Sequence, residues 1–157
     1  MIVRERRTGI SPERRAIPRG GRRPYDVPGQ YPPILVAEGY EAARTPCARY
    51  LHVLRFEVAE AALPAEALAM IDSGWSPHVI LADSASADAV SRHLTSSPRL
   101  VTPQLIIMAG SPEITRHSRS ELLVKPFRLK TMVQTVRRVL RRTARSGAVA
   151  HTSLHLS

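Results

Sequence analysis

Three short apolar runs in this chain end in a charged residue, and that pattern restricts the fold more than any other feature. Ile34-Leu35-Val36-Ala37 runs into Glu38, Val79-Ile80-Leu81-Ala82 runs into Asp83, and Glu121-Leu122-Leu123-Val124 runs into Lys125-Pro126-Phe127. Short apolar runs of this kind, alternating with segments of helical period, predict parallel strands covered by helices. Ligands of such sheets sit beyond the carboxyl ends of the strands. Two carboxylates and one ammonium group, on Glu38, Asp83 and Lys125, are therefore expected to meet in one crevice.

The segments between these runs fill in the alternation. After the strand Ile34 to Ala37, the spacing predicts a late first helix: Thr45 caps it, Pro46 takes its first position, and Cys47, Tyr50, Leu51 and Leu54 share one face, leaving a loop from Glu38 to Arg44. A second strand, Phe56 to Glu60, precedes a helix opened by Pro64 and closed by Gly74, with Ala67, Leu68 and Ile71 inward and Trp75 and Pro77 in the turn that follows. Asp88 to Thr95 reads as a short, weakly patterned third helix, Leu105 to Met108 as strand four, and Leu122 to Val124 as strand five. The last helix is the clearest, with Leu129, Met132, Val133, Val136 and Leu140 as its buried stripe and Arg137, Arg138, Arg141 and Arg142 crowding its last turns.

With these residues in place, the stretch from about Pro33 to Arg142 resembles the receiver domain of bacterial two-component response regulators. The likeness is closest at Ile34 to Glu38, at Phe56-Glu57-Val58-Ala59-Glu60-Ala61-Ala62 with Glu66-Ala67-Leu68 behind it, and at Leu123-Val124-Lys125-Pro126-Phe127. The resemblance implies a flavodoxin-like, doubly wound five-stranded parallel sheet in a three-layer α/β/α arrangement. In that family an acidic pair ending the first strand binds Mg²⁺, an Asp ending the third strand accepts a phosphoryl group from a histidine kinase, and a Lys ending the fifth holds the phosphoryl oxygens. By position these are Glu38, Asp83 and Lys125. The resemblance further implies a cis bond before Pro126.

Where the family carries the second acid of its pair, this chain has Gly39. The hydroxyl residue that ends the fourth strand falls on Met108, whose thioether donates no hydrogen bond. The loop after Asp83 reads Ser84-Ala85-Ser86-Ala87-Asp88, and the region from Ser111 to Ser120 is short, so helices three and four are expected to be trimmed. A degenerate receiver follows from the resemblance: a single-domain, atypical response regulator that acts by protein contact, with weak or absent phosphorylation at Asp83, weak or absent Mg²⁺ at Glu38 and Asp83, and no enzymatic activity of its own. Asp83 is equally readable as the cap of the next helix paired with Lys125, and Lys125 as an ordinary ion-pair residue.

At 157 residues with 43% apolar content, the chain supports one domain with a real core, assigned to residues 33–142. It has no apolar run near the roughly 20 residues that a membrane span requires. The lone Cys47 excludes an internal disulfide framework, suits a reducing cytoplasm, and reads as a buried helix residue. The net charge is +10, and residues 1–32 hold eight Arg with no apolar period, which reads as a disordered basic arm or as sequence upstream of the true start near Val3 or Val27. Residues 143–157 read as a flexible C-terminal tail; His151 and His155 stand i, i+4 there and would suit a metal only on a formed helix.

The partners implied are a histidine kinase or phosphotransfer protein, an acidic protein surface at the basic helix five, and a second copy of the chain. The alternative class is a nucleic-acid-associated regulator that uses the Arg arm and the Arg face of helix five on a receiver-like scaffold.

Overall fold

The computed structural model describes residues 31–97, 99, 102–112 and 120–152, with the backbone alone described from 147 onward. The arm assigned to 1–32 lies outside the described residues up to position 30, as do the greater part of the fourth-helix region (113–119) and the end of the tail, His155 included.

Five strands, β1 (Ile34–Ala37), β2 (Val58–Ala61), β3 (Val79–Asp83), β4 (Gln104–Ala109) and β5 (Glu121–Val124), form one sheet in the order β2-β1-β3-β4-β5. Every pairing is parallel. The strand order reverses between β1 and β3, the switch point where doubly wound sheets open their ligand crevice. This is the flavodoxin-like fold that the alternation and the resemblance lead one to expect.

Alternate residues of the central strands feed two cores. Ile34, Val36, Val79, Leu81, Ile106, Met108 and Leu123 pack with α1 (Glu41–Val53) and α4 (Leu129–Thr152). Leu35, Ala37, Ile80, Ala82, Ile107 and Ala109 pack with α2 (Pro64–Asp72) and α3 (Ser84–Ser96). Strands buried on both faces require the unbroken apolar runs that the sequence supplies. On α4, Met132, Val133, Val136, Val139 and Leu140 are buried at i, i+1, i+4, i+7 and i+8, the stripe of a helix laid on a sheet.

Four boundaries depart from the sequence pattern, each for a local physical reason. Helix α1 starts at Glu41 rather than Pro46, so Pro46 lies inside it and only Glu38 to Tyr40 remain as a connection. Its first turn is held by Arg44, whose backbone N–H bonds Tyr40 O at 2.9 Å and whose guanidinium reaches Glu38 O at 2.9 Å. Helix α3 begins at Ser84, not Asp88, because Asp83 itself caps it, accepting from Ser86 N at 2.8 Å; the trimming therefore falls on the loop, and the helix keeps 13 residues. Strand β2 starts two residues later than expected, since Phe56 is spent on closing α1. Arg55, at φ 69°, donates to His52 O at 2.9 Å and Phe56 to Leu51 O at 3.1 Å, a Schellman ending with both apolar partners buried.

The fourth departure concerns the last helix, helix five of the resemblance and α4 here. It continues to Thr152, so residues 143–152 are helical and the tail assigned to 143–157 is not a tail up to that point. The segment holds three Ala and Arg145, strong helix formers, and Thr143 and Ser146 return their hydroxyls to Val139 O and Arg142 O, each at 3.2 Å. Among the described residues, no helix is long and apolar enough to cross a membrane.

Met132 is fully buried where α4 meets the sheet. Met132→Ala is expected to lower stability by about 2–5 kcal/mol in urea titrations, whereas Val53→Ser, at a position 75% exposed, should change it by no more than about 0.5 kcal/mol.

Candidate functional site

The carboxyl ends of β1, β3 and β5 bring Glu38, Asp83 and Lys125 to one edge of the sheet. Glu38 follows the last residue of β1, and its side chain is only 4% exposed. One of its oxygens, Oε2, accepts from Lys125 Nζ at 2.6 Å; the other, Oε1, accepts from Tyr40 N at 3.0 Å. A buried carboxylate demands such partners, because desolvation otherwise costs several kcal/mol. Lys125 reaches it from the far edge strand, with its own N–H on Ala109 O at 2.7 Å and a cis bond to Pro126 behind it.

Asp83 is also doubly engaged. Its Oδ1 accepts from Ser86 N and its Oδ2 from Gly39 N, both at 2.8 Å. The capping half of the simpler reading is thus present, while the carboxylate that pairs with Lys125 is that of Glu38. Gly39 stands where the comparison with receivers places a second acid: a Cβ built there meets Asp83 Oδ2 and Ala62 O at 3.5 Å, ordinary contact distances, so a side chain would fit and point at Asp83. Met108 pairs with Asp83 in register and is 1% exposed, its side chain belonging to the α1/α4 core.

Two participants escape a reading by strand ends. Arg44 braces the edge by bonding Glu38 O and approaching Glu60 Oε1 at 3.5 Å. Ser86, 1% exposed, donates its N–H to Asp83 while its hydroxyl has no hydrogen-bond partner among the described residues. The spacing Asp83-Ser84-Ala85-Ser86, an Asp three residues before a helical N–H, was the available signal for the second.

Glu38 and Asp83 are the two carboxylates here that could hold a Mg²⁺, and both already have partners. Such an ion takes near-octahedral oxygen ligands, including one or two carboxylates with room for waters. Here each of the four carboxylate oxygens already accepts a hydrogen bond, and Lys125 supplies the counter-charge to Glu38. No group of three or more His, Cys, Asp or Glu stands in metal-binding proximity among the described residues. An apolar groove of about 340 Å³ runs along α1 to the start of α4, lined by Thr45, Pro46, Arg49, Tyr50, Val53 and Leu129, and none of the three edge residues faces it.

Cys47 of α1 is buried beneath this edge. Burial pushes its thiol from 9.0 up to about 11, with the charge of Glu38 adding to the rise and Lys125 opposing it.

No family model matches the chain, and no curated protein does. Solved structures do. The receiver domain of the hybrid histidine kinase CckA matches with a TM-score of 0.58 at 24% identity, over 69% of this chain and 98% of that one. The Vibrio cholerae chemotaxis protein CheY4 matches with a TM-score of 0.61 at 23% identity, over 69% and 98%. A CheY-like receiver domain from Methanospirillum hungatei JF-1 gives 0.64 at 17% identity, over 74% and 98%. At these identities the likeness establishes the fold, a CheY-like receiver fold.

Two outcomes follow from the geometry. Lys125→Met leaves the Glu38 carboxylate buried without its cation and should cost on the order of 2–3 kcal/mol, between the values for exposed and buried pairs. The double variant Glu38→Gln/Lys125→Met should recover most of that loss in urea titrations. For Cys47 the folded pKa is raised, so the neutral thiol favours the fold: the contribution is complete below pH 9.0 and fades as pH rises toward about 11. Stability should fall over that window by at most about 2 kcal/mol more in the native chain than in Cys47→Ser.

Proposed function

We propose that the chain is an atypical response regulator of two-component signalling, in which phosphoryl transfer to Asp83 is weak or absent and the signal passes by protein contact. The observation that carries this reading is the closed carboxyl edge. Glu38 is spent on Lys125 and Tyr40, Asp83 on Gly39 and Ser86, so the positions at which a receiver does its chemistry hold one another.

Transfer would require an Asp83 oxygen to attack phosphorus, with the donor's leaving group departing on the opposite side. Asp83 Oδ2 would first leave the Gly39 N–H, and Lys125 would have to exchange Glu38 for the incoming oxygens. A bound Mg²⁺ would neutralise phosphoryl charge in such a step. Gly39 offers it no carboxylate. The partner at this edge is a histidine kinase or phosphotransfer protein, and a second copy of the chain is a further contact that the fold permits. On this reading the domain is a signalling module, with no catalysis beyond its own modification.

Coupling from the site to α4 has lost its usual donor as well. Met108 has no hydroxyl to be drawn toward a phosphoryl group, and a ligand shifts an equilibrium only through differential contacts with its two states.

Incubation with a small phosphodonor and Mg²⁺, followed by intact mass measurement, should give a minor modified fraction that Asp83→Asn removes. Complete modification of the native chain at Asp83 would refute the reading. A beryllium fluoride mimic should move amide shifts near Asp83 while leaving those of residues 127–140 nearly unchanged; large changes along α4 would mean that the switch operates by another route.

A further inference from the structure

The arginines of α4 fall into two rows with different roles. Arg138 and Arg142 both bond the carboxylate of Glu121 on β5, Arg138 through Nη2 at 3.2 Å, and so fasten the helix to the edge strand. Arg137, Arg141 and Arg145 stand at i, i+4 and i+8, are all exposed, and have no ion-pair partner among the described residues. They form a line about 12 Å long on one side of the helix.

We infer that this outer row is a phosphate-binding ridge and that its ligand is the backbone of a nucleic acid, a partner class beyond the protein contacts of the proposed function. The charge is all guanidinium, which meets phosphate oxygens in a bidentate fork. Five arginines on this face are answered by the single Glu121. Among the described residues, the exposed large apolar side chains are Tyr40, Val53, Leu63 and Val124, none of them on α4. Protein interfaces are built around apolar anchors at their centre, whereas contacts to a phosphate backbone need none. A charged row without an anchor therefore suits a polyanionic strand better than the acidic protein surface that the charge alone leaves open.

The test uses the full chain with a labelled random-sequence DNA duplex, and polyglutamate of matched length as the competing polyanion. Binding should weaken as salt rises. Arg137→Ala/Arg141→Ala/Arg145→Ala should lower affinity roughly tenfold or more at about 0.1 M salt, and reduce the slope of log affinity against log salt by about 3. Arg138→Ala/Arg142→Ala should keep most of the affinity while lowering the urea midpoint. Circular dichroism checks that the triple variant is folded, as substitutions of exposed residues allow. The inference fails if the triple variant binds DNA like the native chain, which would assign binding to the arginines of residues 1–32. It fails if the two rows matter equally, which would make the effect one of bulk charge. It fails too if polyglutamate displaces the duplex at equal charge, which would restore an acidic protein as the partner.

Discussion

The ion pair between Glu38 and Lys125 organises the functional edge of this protein. A parallel sheet sends all its strand ends to one side, so charged residues placed after β1, β3 and β5 must share that space. Glu38 is nearly dry there, and a dry carboxylate without a cation is among the costliest defects a fold can carry. Lys125 crosses from the edge strand to meet it at 2.6 Å. The turn from Glu38 to Tyr40 is then fixed, Gly39 N is aimed at Asp83, and α1 starts immediately afterwards. An ion or a phosphoryl group at this edge would have to compete with these bonds, and the proposed atypical role rests on that competition.

Much of this was visible in the residues. Runs such as Ile34 to Ala37 and Val79 to Asp83 are buried on both faces, so composition alone marks them as strands, and both have the bounds their apolar runs predict. The gathering of Glu38, Asp83 and Lys125 follows from strand ends and parallel order together. What periodicity hid were boundaries set by single tertiary bonds. The start of α1 depends on Arg44 folding back onto Glu38 O, although Thr45-Pro46 carries a stronger local signal. The start of α3 depends on Asp83 acting as a cap, one of the two readings open for that residue, although the sequence pattern marks the helix only from Asp88. The pairing of Lys125 with Glu38 rather than Asp83 is a choice between two carboxylates, and sequence spacing has no means of ranking them.

The length of α4 shows a different limit. Residues 143–152 carry few large apolar groups, so they read as a tail, yet their three Ala and Arg145 favour helix once the preceding turns are anchored on the sheet. Extension of the helix keeps the outer arginine row straight and clear of Glu121. The arginines of α4, which composition counts only within a total of +10, thereby separate into an inner row that braces β5 and an outer row open to a partner.

Calorimetric titration of Mg²⁺ into the native chain and into Gly39→Asp tests the central claim most directly, because a Cβ at residue 39 has room beside Asp83. The closed edge predicts weak or undetectable heat for the native chain and clearly tighter binding once the added carboxylate supplies a ligand. Equal and tight affinities in the two forms would contradict the account, since they would mean that Glu38 and Asp83 already hold an ion and that residue 39 does not stand at it.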